Sequence, residues 1–127
     1  MNLRALISIV GGLFFLRVGI LHFTDTSWFE PIVPPMFGSA KFWVLISGAA
    51  EIFIGLGLII PKTRKHAGYA CAALLIAVYP ANLYMWIYDI ELGDGTSLSP
   101  SGHVIRLILQ IAGILTSLWI AKSHPKT

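Results

Sequence analysis

Glu51 stands alone in the apolar run Ser47–Pro61, SGAAEIFIGLGLIIP. A carboxyl group in such a place can anchor a cation, accept a proton or hold a ligand by hydrogen bonds. Each task needs company, because a charge at the centre of a bilayer costs about 2.5–3.5 kcal/mol on insertion scales. At about 100° per residue, Ser47, Gly48, Glu51 and Gly55 share one helix face, so two glycines beside the acid let another helix approach closely. Arg106, Gln110, Gly113 and Ser117 form a comparable stripe further along the chain. The preferred partner of Glu51 is Arg106, whose long side chain can reach toward the acid or snorkel outward. Asn82 lies just beyond Pro80, whose missing donor frees a carbonyl one turn earlier and calls for polar company. His22 shares a face with Ser8, Gly12, Phe15 and Gly19, a face built for close packing. Arg17 lies about 140° around the helix from His22. Two roles stay open for it: a second partner for Glu51, or a side chain that snorkels to the headgroups.

The elements that must position these groups are apolar. The chain has 127 residues, 56% of them apolar and 12% charged, with a mean hydropathy of +0.77. A soluble domain of this size cannot hide so much apolar surface. Four runs, at about residues 5–22, 41–60, 67–88 and 103–121, are each long enough to cross about 30 Å of hydrocarbon as a helix. Backbone groups in lipid must satisfy their own hydrogen bonds, so the runs are expected to be helices. The expectation is an all-α fold, a single-domain bundle of four transmembrane helices over residues 1–127. The first run is read as a retained span rather than a signal peptide, because Arg17 interrupts it and no small-residue cleavage site follows.

Charge sets the orientation. Arg4, Lys62, Arg64, Lys65, Lys122 and Lys126 fall at the termini and between spans two and three; Asp25, Glu30, Asp89, Glu91 and Asp94 fall in the other two loops. The positive-inside rule then puts both termini and the loop PKTRKH in the cytoplasm; the membrane is expected to be a bacterial-type cytoplasmic (inner) membrane. Trp28, Trp43, Tyr84, Trp86 and Tyr88 cluster at the outer boundary, and Tyr69 and Trp119 at the inner one, as interfacial belts do. The net charge of +3 is topology in this reading, and the partner is the lipid bilayer, not nucleic acid.

Depth makes a pattern. Spans alternate in direction, so Arg17, Asn82, Arg106 and Gln110 fall in the outer half, Glu51 at its floor and His22 at its rim. Six polar residues from four helices share one layer, and the inner half offers nothing comparable. One reading is a structural network that fixes helix register. Another is a pocket, open to the outer leaflet or the periplasmic side, for a small polar-headed or quinone-like ligand. A proton or solute path is the third. The first outer loop, TDTSWFEPIVPPMFGSA, is broken by prolines yet apolar, and is expected to fold back over the bundle or into the headgroups. The second, DIELGDGTSLSPSG, reads as a solvated connection. Cys71 is the single cysteine and reads as a packing residue, so any redox role needs electrons carried by something else. No phosphate-cradling loop, haem attachment or nucleophile elbow occurs. His22, His66, His103 and His124 are scattered, so no metal centre is expected.

HF at 22–23, IVPP at 32–35, SGAAEIFIGLGL at 47–58, PKTRK at 61–65, PANLYM at 80–85 and RLILQ at 106–110, in that order over nearly the whole chain, resemble the DoxX-like membrane proteins. Ile108 stands where that family often has a proline. The resemblance implies a four-helix integral membrane fold and marks His22, Glu51, Arg64, Pro80, Asn82, Arg106 and Gln110 without giving them catalytic roles. The family takes its name from a subunit associated with archaeal quinone-linked sulfur and terminal oxidase chemistry. Its members look like partners in redox homeostasis, methylamine-enzyme maturation or membrane-receptor assembly. The expectation is therefore a redox-accessory protein binding a quinone or a small oxidised solute. Glu51 is its anchor or proton acceptor, Arg106 carries the opposite charge, and Asn82 and Gln110 orient the ligand. The alternatives are a ligand-free assembly partner of a membrane or redox protein, and a small transporter, which with four spans requires a homodimer.

Overall fold

The four long helices begin and end where local chemistry lets them. In the computed structural model, which describes residues 2–93, 95 and 99–122, Asn2 starts helix α1 (Leu3–Thr24) by accepting the Ala5 amide at 2.7 Å. Ser39 does the same for α3 (Ala40–Ile59) through the Phe42 amide, and Ser99 for α5 (Pro100–Ala121) through the Gly102 amide. These are N-caps, which satisfy donors that the first turn leaves free. Pro61 cannot continue α3 and instead opens a one-turn 3-10 segment, Pro61–Thr63, that feeds α4 (Arg64–Tyr88). Between α1 and α3 lie the short helix α2 (Thr26–Phe29) and two 3-10 turns, Glu30–Ile32 and Pro35–Phe37. Among the described residues every regular element is helical, and α1, α3, α4 and α5 are long and apolar enough to cross a membrane. Asp94, His124 and Lys126, which entered the charge and histidine arguments, lie outside the described residues.

The helices pack as two antiparallel pairs. In the first pair, α1 and α3 meet through glycines. A Cβ added at Gly12 would sit 2.5 Å from the Gly55 carbonyl oxygen, and one at Gly19 would sit 2.8 Å from that of Gly48. Gly12 and Gly19 are spaced like Gly48 and Gly55, so the two seams interlock along their whole length. The helix that uses the glycines beside Glu51 is thus α1, not α5 as charge complementarity suggests. In the second pair, a Cβ at Gly68 would meet backbone atoms of Ser117 and Ala121 at 2.8 Å, and the Ser117 hydroxyl lies 3.1 Å from the Cys71 sulfur.

The helices of the two pairs share a buried core at one end. Ile54, Leu58, Ala67, Cys71 and Ile120 form the buried core there, next to the turn between α3 and α4. Arg64 locks this end: Nε donates to Leu58 O and Nη2 to Ile59 O, both at 3.0 Å, and the Ser8 hydroxyl also donates to Leu58 O at 2.7 Å. A basic side chain here satisfies the orphan carbonyls and the negative end of the α3 dipole. The half expected to lack polar structure therefore carries a buried arginine clamp, with Arg64 only 4% exposed. Loop residues are assigned to solvent by sequence spacing; Arg64 is buried because its side chain turns back onto the helix it follows.

Candidate functional site

Away from the Arg64 end the pairs diverge and enclose a cavity of about 620 Å³. The first outer loop covers its far end: Phe29, Ile32, Val33, Pro34 and Phe37 line it, as expected of a loop too apolar for water. The walls are mostly apolar, with Phe14, Phe15 and Val18 from α1, Trp43 and Val44 from α3, Leu74 and Val78 from α4 and Leu109 from α5. Into this surround come His22, Ser47, Glu51, Asn82, Arg106 and Gln110. Five of the six residues singled out by type and depth thus share one cavity. Arg17 does not: it is exposed and lines no part of it. The turn that aims His22 inward aims Arg17 outward, which removes it as a partner of Glu51.

On the wall made by the first pair, Glu51 Oε1 lies 3.3 Å from His22 Nε2, and both residues are buried. The pairing with Arg106 expected from charge is not formed. The cause is the glycine seam. It presses α1 so close that a Cβ at Gly48 would lie 2.6 Å from the His22 Cβ, which sets the imidazole beside the acid one turn on. His22 Nδ1 donates to the Val18 carbonyl at 2.7 Å, and the ring stacks on Phe29 with centroids 4.0 Å apart. A carbonyl can only accept, so Nδ1 carries a hydrogen. Nε2 and the Glu51 carboxyl then hold a proton between them, on the ring or on the acid, an arrangement suited to exchanging it with a third group.

On the opposite wall Arg106 Nη1 lies 2.6 Å from the Met85 sulfur and Nη2 donates to Asn82 Oδ1. Gln110 Nε2 donates to the Leu75 carbonyl in the turn before Pro80. Leu75 directly precedes Ile76, whose carbonyl Pro80 leaves without its helical donor, so an amide from α5 bonds the backbone next to the proline turn, and α4 runs through Pro80 without ending. Among the described residues no carboxylate lies within ion-pair range of Arg106. Beside this wall, buried His103 stacks on Trp86 at 5.7 Å with rings 6° from parallel and reaches Asp89 at 3.8 Å. No group of three or more His, Cys, Asp or Glu that could hold a metal ion occurs among the described residues.

Sequence reasoning missed Met85 as the neighbour of the guanidinium, Phe29 as the stacking partner of His22, and Arg64 as a buried clamp. For Phe29 a signal existed, since an aromatic in a proline-broken apolar loop has to cover something. Met85 gave none, because a thioether among apolar residues reads as core.

No curated protein and no solved structure matches the chain. A family model, described as a domain of unknown function (DUF8561), matches residues 11–121, a range that takes in every cavity-lining side chain from Phe14 to Gln110. With most of its length matched, the chain belongs to the DUF8561 family.

Proposed function

We propose that this is a multi-pass protein of a bacterial-type cytoplasmic membrane, both termini on the cytoplasmic side, that binds a small amphipathic molecule in the cavity between its helix pairs. A quinone is the class that fits best: an apolar ring body with carbonyl oxygens that accept hydrogen bonds and take up protons on reduction. The observation that carries this reading is the direction of the polar links. His22–Glu51 closes the first pair, and Arg106–Asn82 and Gln110–Leu75 close the second. Among the described residues, no hydrogen bond or ion pair joins the two walls across the cavity. A network serving only to hold four helices together would be expected to cross. Here the polar groups face one another over an apolar space, as in sites where a few placed polar groups orient an otherwise apolar ligand.

In this reading Glu51 and His22 exchange a proton with one end of the ligand. Arg106 and Asn82 present hydrogen-bond donors to the other, and Gln110 holds the α4 backbone that shapes the wall. The resemblance to DoxX-like proteins supports a redox-accessory role, in which electrons come from a partner. Purified protein titrated with decylubiquinone and a short-tailed menaquinone analogue tests the reading. Saturable binding is expected, weakened about tenfold, or about 1.4 kcal/mol, by Glu51→Gln. Absence of saturable binding, or binding that ignores Glu51→Gln, ends it.

A second reading, a ligand-free assembly partner, draws on the degree to which each wall satisfies its own polar groups. Pull-down from mild detergent separates the two: a stoichiometric partner retained by Glu51→Gln, with no quinone binding, favours the scaffold.

A further inference from the structure

We infer that the cavity is loaded sideways from the bilayer, and that its ligand carries an apolar tail which leaves between α1 and α5. The inference rests on the binding reading above and narrows its ligand to molecules dissolved in the membrane. Three observations converge. First, the ring of helices is not closed: α1 packs on α3, α3 on α4 and α4 on α5, but α1 and α5 scarcely touch. They approach at the Arg64 end, where the Arg4 guanidinium lies 4.7 Å over the Trp119 ring, and part toward the cavity. Second, the side chains at the two edges of that gap belong both to the cavity and to the outer surface. Phe14 on α1 is 62% exposed and Leu109 on α5 is 63% exposed, and both line the cavity.

Third, the far end is roofed. Phe29 stacks on His22, and Pro34 is buried over the cavity. The Gly93 amide donates to Trp28 O at 3.0 Å, tying the second outer loop onto the first, and Trp43 Nε1 donates to Phe37 O at 2.6 Å. A solute arriving from water meets this roof. A molecule already in the hydrocarbon meets an apolar cleft with hydrogen-bonding groups at its back. A polar solute entering by the cleft would shed its water between Phe14 and Leu109 with nothing to replace it. A tailed amphiphile leaves its tail in the cleft, where it takes the place of lipid chains, and brings only its head to Glu51 and Arg106.

The test uses full-length protein in phosphatidylcholine nanodiscs and two probes with the same head, decylubiquinone and the tail-free 2,3-dimethoxy-5-methyl-1,4-benzoquinone, titrated by calorimetry. Leu109→Trp and Phe14→Trp narrow the cleft from opposite sides. Each variant is expected to weaken decylubiquinone about tenfold while changing the tail-free probe less than about threefold. Retained binding of the tail-free probe also reports that the variant is folded. Equal weakening of both probes, or no weakening of either, overturns lateral entry and leaves the cavity as a binding site. Failure of both probes to bind the unmodified protein removes the binding reading itself, and lateral loading with it.

Discussion

If the polar groups tie helices within pairs, energetic coupling must follow the same division. His22 and Glu51 are 8% and 7% exposed, with 3.3 Å between Nε2 and Oε1. Replacing either by alanine strands the other in a buried site, which costs about 1–3 kcal/mol. The pair itself is worth less than that. Interhelical hydrogen bonds in membranes couple by about 0.6 kcal/mol on average and up to about 1.7. A separation at the long end of hydrogen-bond range places His22–Glu51 near the middle of that span, at about 1 kcal/mol. Arg106–Asn82, a charge-assisted contact, belongs at or above that value. Across the cavity Glu51 and Arg106 share no partner, so their variants should add to within about 0.5 kcal/mol. Three double-mutant cycles, His22/Glu51, Asn82/Arg106 and Glu51/Arg106, measured by SDS-driven unfolding from mixed micelles, give the three couplings directly. If Glu51/Arg106 exceeds either within-pair value, the division into two separately closed pairs is wrong, and with it the argument for a cavity between them.

Adjacent glycines supply an internal control for the α1–α3 seam. Gly12→Ala drives a methyl into Gly55 O and Ile59 and should destabilise by about 1–3 kcal/mol. Gly11→Ala meets nothing within 4 Å and should be neutral or stabilising by up to about 1 kcal/mol from helix propensity. Equal effects in the same SDS titration would mean that the seam is not where it is described. Arg64→Ala removes both donors to Ile59 O and Leu58 O, leaving Ser8 alone on the latter. A loss of about 1–3 kcal/mol is expected, with Arg64→Lys recovering only part because one ammonium replaces a two-pronged donor. Cys71 is 1% exposed, so its reaction with a maleimide in native micelles should be about 100-fold slower than in SDS, as for a site reached only through opening. Comparable rates would place it at the surface.

What the sequence could disclose follows from what periodicity measures. Hydropathy located four spans to within a few residues, because membrane thickness and helix rise fix their length whatever the packing. The α4 start at Arg64 rather than near residue 67 escaped it, since polar residues of the first turn lie outside any apolar window. Periodicity also assigned faces: of Ser8, Gly12, Phe15, Gly19 and His22 on α1, and Ser47, Gly48, Glu51 and Gly55 on α3, all but Phe15 and Ser47 prove buried, and those two are partly exposed. It does not say which face meets which. The choice of Arg106 for Glu51 came from charge, which ranks partners as if all four helices were equidistant. Backbone proximity is set first, by glycines spaced alike on α1 and α3, and charges then pair with whatever that proximity supplies. A match of glycine spacing would have been the better guide.

The same order of causes explains why the cavity keeps chemical capacity. Close packing within each pair commits one contact from each polar group and leaves others unused. Glu51 meets His22 through Oε1, and its second oxygen makes no hydrogen bond among the described residues. Arg106 engages two of its nitrogens, with Met85 and Asn82, while a guanidinium carries more N–H donors than that. Asn82 accepts through Oδ1, which frees its amide hydrogens, and Gln110 donates through Nε2, which frees its oxygen. Donors and acceptors left over on both walls of a mostly apolar space carry a desolvation penalty unless something meets them. Had the pairs closed on each other, those groups would have consumed one another and the space would have vanished. The divergence of α1/α3 from α4/α5 is therefore what turns a layer of buried polar residues into a site.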